Sequence, residues 1–144
     1  MRVSEAMTRE VYIVNPDETI QQAAIAMAGI DAGALPVADK DRLIGMITDR
    51  DIAIRGVAEG KSPTTRVRDV MTSDVKYCFD DQDLEEVTHN MGEIQVRRLP
   101  VVDRNKRLVG ILSLGDVAVV DGNGAAGEAL SMVSRAGGEH TQTG

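Results

Sequence analysis

The chain states its opening phrase twice. Val3–Val11, reading VSEAMTREV, returns 64 positions later at Val67–Val75 as VRDVMTSDV. The same spacing sets Met27 on Met91, Ile30 on Ile94, and Leu35–Asp39 (LPVAD) on Leu99–Asp103 (LPVVD). Beyond that point the spacing grows by one residue, so that Leu43–Asp51 falls on Leu108–Asp116. A one-residue insertion of this kind belongs in a loop. Self-similarity at a fixed period marks a chain built from copies of one supersecondary unit.

Each copy carries the same succession of signals. A β-rich segment opens it, at Val11–Val14 in the first copy and Val75–Phe79 in the second. Thr19 with Gln22, and Asp83 with Glu86, then stand as capping boxes at helix starts. Behind them Ile20, Ala23, Ala24 and Met27, and likewise Leu84, Val87, Thr88 and Met91, fall at i, i+3, i+4 and i+7, one apolar face of a helix. Leu35–Ala38 and Leu99–Val102 read as strands that turn through polar residues into Leu43–Ile47 and Leu108–Leu112. A second helix opens at Thr48 or Ser113. The fold expected is mixed α/β (α+β), a tandem pair of β-α-β-β-α repeats over residues 1–58 and 67–121. A turn-rich linker lies at 59–66 and a Gly-rich tail at 122–144. The tail is read as a loosely ordered extension with one short helix, Glu128–Ser134.

Composition narrows the partners. The net charge of −7 and pI near 4.8 disfavour a phosphate backbone, whose affinity depends on clustered Lys and Arg. No 18-residue apolar run and no apolar N-terminal segment is found, which points to a cytoplasmic protein without a membrane partner. Aromatic residues make up 2% with no Trp, so there is no platform for stacking single-stranded bases. Cys78 is the only cysteine, which rules out an intramolecular disulfide or a Cys-based zinc cage in one chain.

V-x-x-x-M-T, L-P-V-x-D and G-h-h-[ST]-x-x-D, where h is apolar, each occur twice at matched spacing. In this the chain resembles the CBS-domain pair, or Bateman module, of the small stand-alone bacterial type, over about Met1 to Val120. The resemblance implies two copies packed with approximate two-fold symmetry. It also implies two clefts that take an adenosine-containing ligand: AMP, ADP or ATP foremost, with S-adenosylmethionine and NAD as further candidates.

Thr48 with Asp51, and Ser113 with Asp116, sit where a strand hands over to a helix, so a hydroxyl and free N–H groups converge with a positive helix end. The plain alternative is an ordinary capping box, which needs no ligand. The resemblance assigns the aspartates to the ribose hydroxyls, a fit between an acceptor-only carboxylate and a diol with two donors. It assigns Arg97 and Arg98 to ligand phosphates, the alternative being a solvated pair. Adenine would then rest on Val11 and Ile13 in the cleft of Asp116, and on Val75 and Tyr77 in that of Asp51, where simple core packing is the alternative. Copy one has Gly33 and Ala34 in place of the arginines, and Arg50 is flanked by Asp49 and Asp51. The Asp116 cleft is therefore expected to take the phosphorylated ligand, leaving the Asp51 cleft empty, weaker or suited to a less charged adenosyl group.

Other motifs fall away. Gly122-Asn123-Gly124-Ala125-Ala126-Gly127 matches G-x-G-x-x-G, yet only 17 residues follow it, too few for a returning βαβ unit. The Asp80–Asp83 run lacks the Gly and Glu of a calcium loop. His89 and His140 have no metal-ligand spacing and read as solvent-facing, while Cys78, without a nucleophile motif, reads as a small buried residue. The expectation is a non-catalytic regulatory module that senses an adenosyl ligand, requires no metal, forms a homodimer and signals to an effector protein. The competing reading is a ligand-free interaction or stress-response protein acting through protein contacts.

Overall fold

Thr19 closes the first turn of helix α1 (Ile20–Ile30) by accepting from the Gln22 N–H at 3.1 Å, while the Gln22 side chain accepts from the Thr19 N–H at 2.9 Å. The predicted capping box therefore forms, and α1 buries Ile20, Ala23 and Met27. Strands β1 (Ala34–Asp39) and β2 (Arg42–Thr48) follow as an antiparallel hairpin through Lys40 and Asp41, both with positive φ. Val14 adds to β1 in parallel, donating to the Pro36 carbonyl and accepting from the Ala38 N–H, each at 3.0 Å. After β2 the chain turns into α2 (Asp49–Asp51), widens into a π turn over Ile52–Gly56 and tightens into a 3-10 turn over Val57–Glu59.

The second copy repeats this order with β3 (Cys78–Phe79), α3 (Leu84–Glu93), β4 (Arg98–Val102), β5 (Leu108–Ser113) and α4 (Leu114–Asp121), followed by α5 (Gly124–Val133). The strand β3 runs parallel to β4, and β4 pairs antiparallel with β5. Both hairpins carry a bulge at the same place, between Val37 and Ala38 and between Val101 and Val102. The extra residue of the second copy lies in the turn between β4 and β5, as the spacing required.

The computed structural model describes residues 1–121 and 124–133. These form two compact units, Tyr12–Val75 and Met1–Val11 with the chain from Lys76 on. The units are not the sequence repeats, because each repeat sends its opening strap into the unit of the other. Val67 and Arg68 donate to the Glu18 and Pro16 carbonyls at 2.8 and 3.0 Å, and the Ile20 N–H donates to the Thr65 carbonyl at 2.8 Å. In the other unit Val3 and Ser4 donate to Gln82 and Asp80, both at 3.0 Å, and Leu84 donates to Met1 at 2.8 Å. Apolar burial drives the exchange. Val67 and Val70 join a core with Val14, Ile20, Leu35 and Ile47, while Val3 and Met7 join one with Leu84, Met91, Leu99 and Leu112.

Four expectations need correction. The Asp83–Glu86 box closes on one side only, Asp83 accepting from the Glu86 N–H at 3.2 Å without the return bond among the described residues. The β-rich openings shrink to a bridge at Val14 and the two residues of β3, since only there does the backbone face a strand of the hairpin. The second helix of repeat one is α-helical for a single turn. The tail carries a docked helix longer than expected: α5 buries Ala129 and Val133 against the core of its unit, because Gly92 on α3 leaves space for its backbone. Ser134 and His140 lie outside the described residues, as do Gly122 and Asn123, whereas Gly124–Gly127 open α5.

Candidate functional site

The end of each hairpin presents a polar constellation at the start of the following helix. Thr48 Oγ1 accepts from the Asp51 N–H at 3.0 Å, and Asp51 Oδ2 accepts from the Thr48 N–H at 3.1 Å. Ser113 and Asp116 repeat both bonds at 3.0 and 3.2 Å. The capping boxes therefore form, and each fixes one carboxylate oxygen through a backbone donor. The β1 and β4 ends are anchored there too, since the Asp49 N–H donates to the Gly33 carbonyl at 2.9 Å and the Leu114 N–H to the Arg97 carbonyl at 3.0 Å.

The straps complete these sites. Thr72 pairs with Met46 on β2 through two backbone bonds of 2.8 and 2.9 Å, and Thr8 pairs with Ile111 on β5 through bonds of the same lengths. The Met-Thr dipeptide of one repeat thereby lies beside the aspartate of the other. Glycine is required beneath it: a β-carbon on Gly45 would stand 2.9 Å from the Thr72 carbonyl oxygen, and one on Gly110 2.7 Å from that of Thr8. Spacing alone had singled out the Met-Thr motif without revealing that it crosses over.

The carboxylates differ in what surrounds them. Arg55 Nη1 lies 4.0 Å from Asp51 Oδ1 and donates to the Met71 carbonyl at 3.0 Å. The matching position of repeat two is Val120. Sequence reasoning weighed Arg50 and missed Arg55, whose signal was its position one turn after Asp51. Asp116 Oδ2 accepts from Ser113 and faces Thr8, while among the described residues no hydrogen bond reaches its Oδ1. Arg98 pairs with Ser113 across the β4–β5 ladder; its side chain is half-buried, that of Arg97 exposed, and neither makes an ion pair among the described residues.

Val11 belongs to the unit of Asp116 and Val75 to that of Asp51, both partly buried. Ile13 belongs to the Tyr12–Val75 unit and Tyr77 to the other, and they are 40% and 41% exposed, so neither is a core residue. Cys78 is buried, and desolvation followed by the charge of Asp80 pushes its thiol up to about 12. His89 contacts Glu93 at 3.1 Å on the exposed side of α3. A cavity of about 710 Å³ lies between α3 and α5, lined by Asp83, Glu86, His89 and Glu128 among others, and none of the candidate residues faces it. No group of three His, Cys, Asp or Glu among the described residues is placed to hold a metal, and no described helix is long and apolar enough to cross a membrane.

Comparison with known proteins adds an independent measure. The sequence pattern of the CBS domain matches twice, at residues 3–56 and 67–123. The CBS domain-containing protein YhcV of Bacillus subtilis is 44% identical over 133 residues, covering 92% of this chain and 94% of that protein. Among solved structures, Hypoxic Response Protein I with two coordinated zinc ions superposes with a TM-score of 0.75 at 38% identity, covering 83% of this chain and 98% of that one. CBSX2 in complex with AMP gives 0.74 at 29% identity, with 82% and 93% covered. The CBS domain pair of MJ0100 in complex with 5′-methylthioadenosine and S-adenosyl-L-methionine gives 0.71 at 26% identity, with 83% and 98% covered.

Proposed function

The chain belongs to the CBS-domain family as a tandem pair, and from that premise we propose that it is a non-catalytic regulatory module that binds an adenosyl ligand at Asp51 and Asp116. The observation that carries this reading is the state of the Asp116 carboxylate. One oxygen is oriented by a backbone N–H at 3.2 Å, and the other stays open among the described residues to a donor from outside. A vicinal diol supplies such donors, and charge-assisted bonds to a carboxylate are stronger than neutral ones. The structural relatives that hold AMP or S-adenosylmethionine support the ligand class.

In this reading Thr48 and Ser113 hold the helix starts, Asp51 and Asp116 take the ribose, Arg97 and Arg98 face phosphate, and Val11 and Val75 border the base. Ile13 and Tyr77 are apolar surface that a base also covers. AMP, ADP or ATP is the leading ligand. The protein acts by population shift, since a ligand that favours one conformation biases whatever effector protein reads it. Ile54 and Val57 in the turns after α2, and Val119 on α4, are exposed by 51, 68 and 86%, apolar surface in each unit that a homodimer would cover.

Thermal shift with AMP, ADP, ATP, NAD and S-adenosylmethionine tests the ligand. Stabilisation of about 2.7 kcal/mol is expected at a hundredfold excess over Kd. No shift with any of them would leave the ligand-free interaction protein as the better account. Light scattering at micromolar concentration is expected to give twice the 15.5 kDa chain mass, and the single-chain value would refute the dimer.

A further inference from the structure

The straps bring one donor to each carboxylate besides the backbone. Thr72 Oγ1 stands 3.5 Å from Oδ1 and 3.4 Å from Oδ2 of Asp51, and Thr8 Oγ1 stands 3.3 Å from Oδ2 of Asp116. The two threonines occupy the same place in the two Met-Thr motifs, and each faces an aspartate of the other repeat. These distances are long for O–H···O bonds, so the hydroxyl guides the carboxylate and does not clamp it. Its own place is fixed nonetheless. Paired backbone bonds of 2.8–2.9 Å hold Thr72 to Met46 and Thr8 to Ile111, and the adjoining Met71 and Met7 sulfurs lie over Gly45 and Gly110.

The capping boxes alone do not account for the contact. Each uses only Oδ2 and leaves the carboxylate plane free to turn about χ2, a broad torsion for Asp. A diol that docks on the remaining oxygen needs that plane steadied before it arrives, which is the work of a further donor reaching the carboxylate from another element. A β-branched side chain is stiff at χ1, so a threonine on a pinned strand is a well-placed guide.

We infer that Thr72 and Thr8 are positioning residues for the ligand aspartates, each supplied across the repeats, so that neither Asp51 nor Asp116 is oriented for ligand by its own repeat alone. The inference rests on the proposed adenosyl reading for its ligand half and on geometry for the rest. It implies linkage: a ligand at Asp51 stabilises the strap of repeat two, one at Asp116 that of repeat one, and each strap stabilises the opposite site equally in return.

Thr72→Val and Thr8→Val keep the β-branch and volume but remove the hydroxyl, while Thr72→Ser and Thr8→Ser retain it. In the ligand-free full chain, the NMR couplings and carboxyl shift of Asp51 are expected to change in Thr72→Val and not in Thr8→Val, with Asp116 showing the reverse. With AMP as probe, calorimetry on Thr8→Val is expected to show Kd raised about three- to tenfold, the loss of a weak hydrogen bond to a charge, with Thr8→Ser within about twofold of the parent. Unchanged aspartate signals in both valine variants would overturn the inference, because the capping boxes would then suffice. Changed signals without any ligand binding by the parent would uphold the positioning role and refute the adenosyl reading. Changed signals with an unaltered Kd would overturn the role in binding.

Discussion

Gly92 of α3 lies so close beneath α5 that a β-carbon on it would stand 3.0 Å from the Ala129 Cα. The obstruction is backbone, so the helix itself must move. Gly92→Val is expected to destabilise the protein by about 1–3 kcal/mol, the usual cost of overpacking. The variant should also release α5 to limited proteolysis. Gly29 on α1 has nothing within 4 Å of its added β-carbon. Gly29→Ala is therefore expected to raise stability by about 0.5–1 kcal/mol, as alanine does in a helix interior. Calorimetric melting of the two variants checks the pair, and a stable Gly92→Val with α5 still protected would show that the contact is slack.

The hairpins, both N-capped first helices and both [ST]-x-x-D boxes were legible because their signals are local. Thr19 and Gln22, or Ser113 and Asp116, meet three residues apart wherever the chain turns helical. The strap exchange was not legible. Val3 and Val67 read equally well in either unit, and the choice depends on which apolar cluster each fills. The docking of α5 was hidden for a related reason: it depends on a single glycine at position 92, where the matching position of repeat one is Ala28. At the site, the aspartates stood out by recurrence, whereas Arg55 did not, because repeat two has no counterpart to it.

The turn between β1 and β2 holds both Lys40, at φ 51°, and Asp41, at φ 68°, in the left-handed region. Two such residues define the hairpin turn that Asn-Gly suits best. Asp41→Gly is expected to stabilise by about 0.5–1 kcal/mol, since the left-handed cost to an L-residue exceeds the added chain entropy. Gly60 lies at φ 76° with nothing within 4 Å, so Gly60→Ala is expected to cost about 1 kcal/mol for conformational reasons alone. Urea denaturation should show midpoints moving in opposite directions. Movement in the same direction would contradict the turn geometry.

Cys78 is 3% exposed, and burial raises its pKa from 9.0 to about 12, with the charge of Asp80 adding to the rise. The folded-state value lies above the unfolded one, so folding retains a proton that the unfolded chain releases. The resulting stability is complete below about pH 9 and is lost as pH climbs towards about 12, with a slope of at most about 1.4 kcal/mol per pH unit. Urea midpoints between pH 8 and 11 should fall less steeply in Cys78→Ala than in the parent. A thiol reagent at pH 8 is expected to modify Cys78 only in denaturant, and rapid reaction of the native protein would contradict the burial.

The two aspartate sites are expected to discriminate differently between charged and neutral ligands. At Asp116, Arg97 and Arg98 flank the strand end beside Ser113 and make no ion pair among the described residues, so their charge is available to an incoming anion. At Asp51 the corresponding positions are Gly33 and Ala34. The nearby cation, Arg55, already donates to the Met71 carbonyl and lies 4.0 Å from the carboxylate, an arrangement that neutralises it. A hydrogen bond to a charged group contributes about 1.5–3 kcal/mol, or about ten- to a hundredfold in affinity. Arg98→Ala is accordingly expected to weaken AMP by about that factor while leaving adenosine within about twofold. Asp116→Ala should abolish the tighter AMP event in calorimetry, and Asp51→Ala should spare it. The assignment is reversed if Asp51→Ala loses AMP and Asp116→Ala keeps it. Equal weakening of AMP and adenosine by Arg98→Ala would instead show that the arginine orders the strand end without touching phosphate.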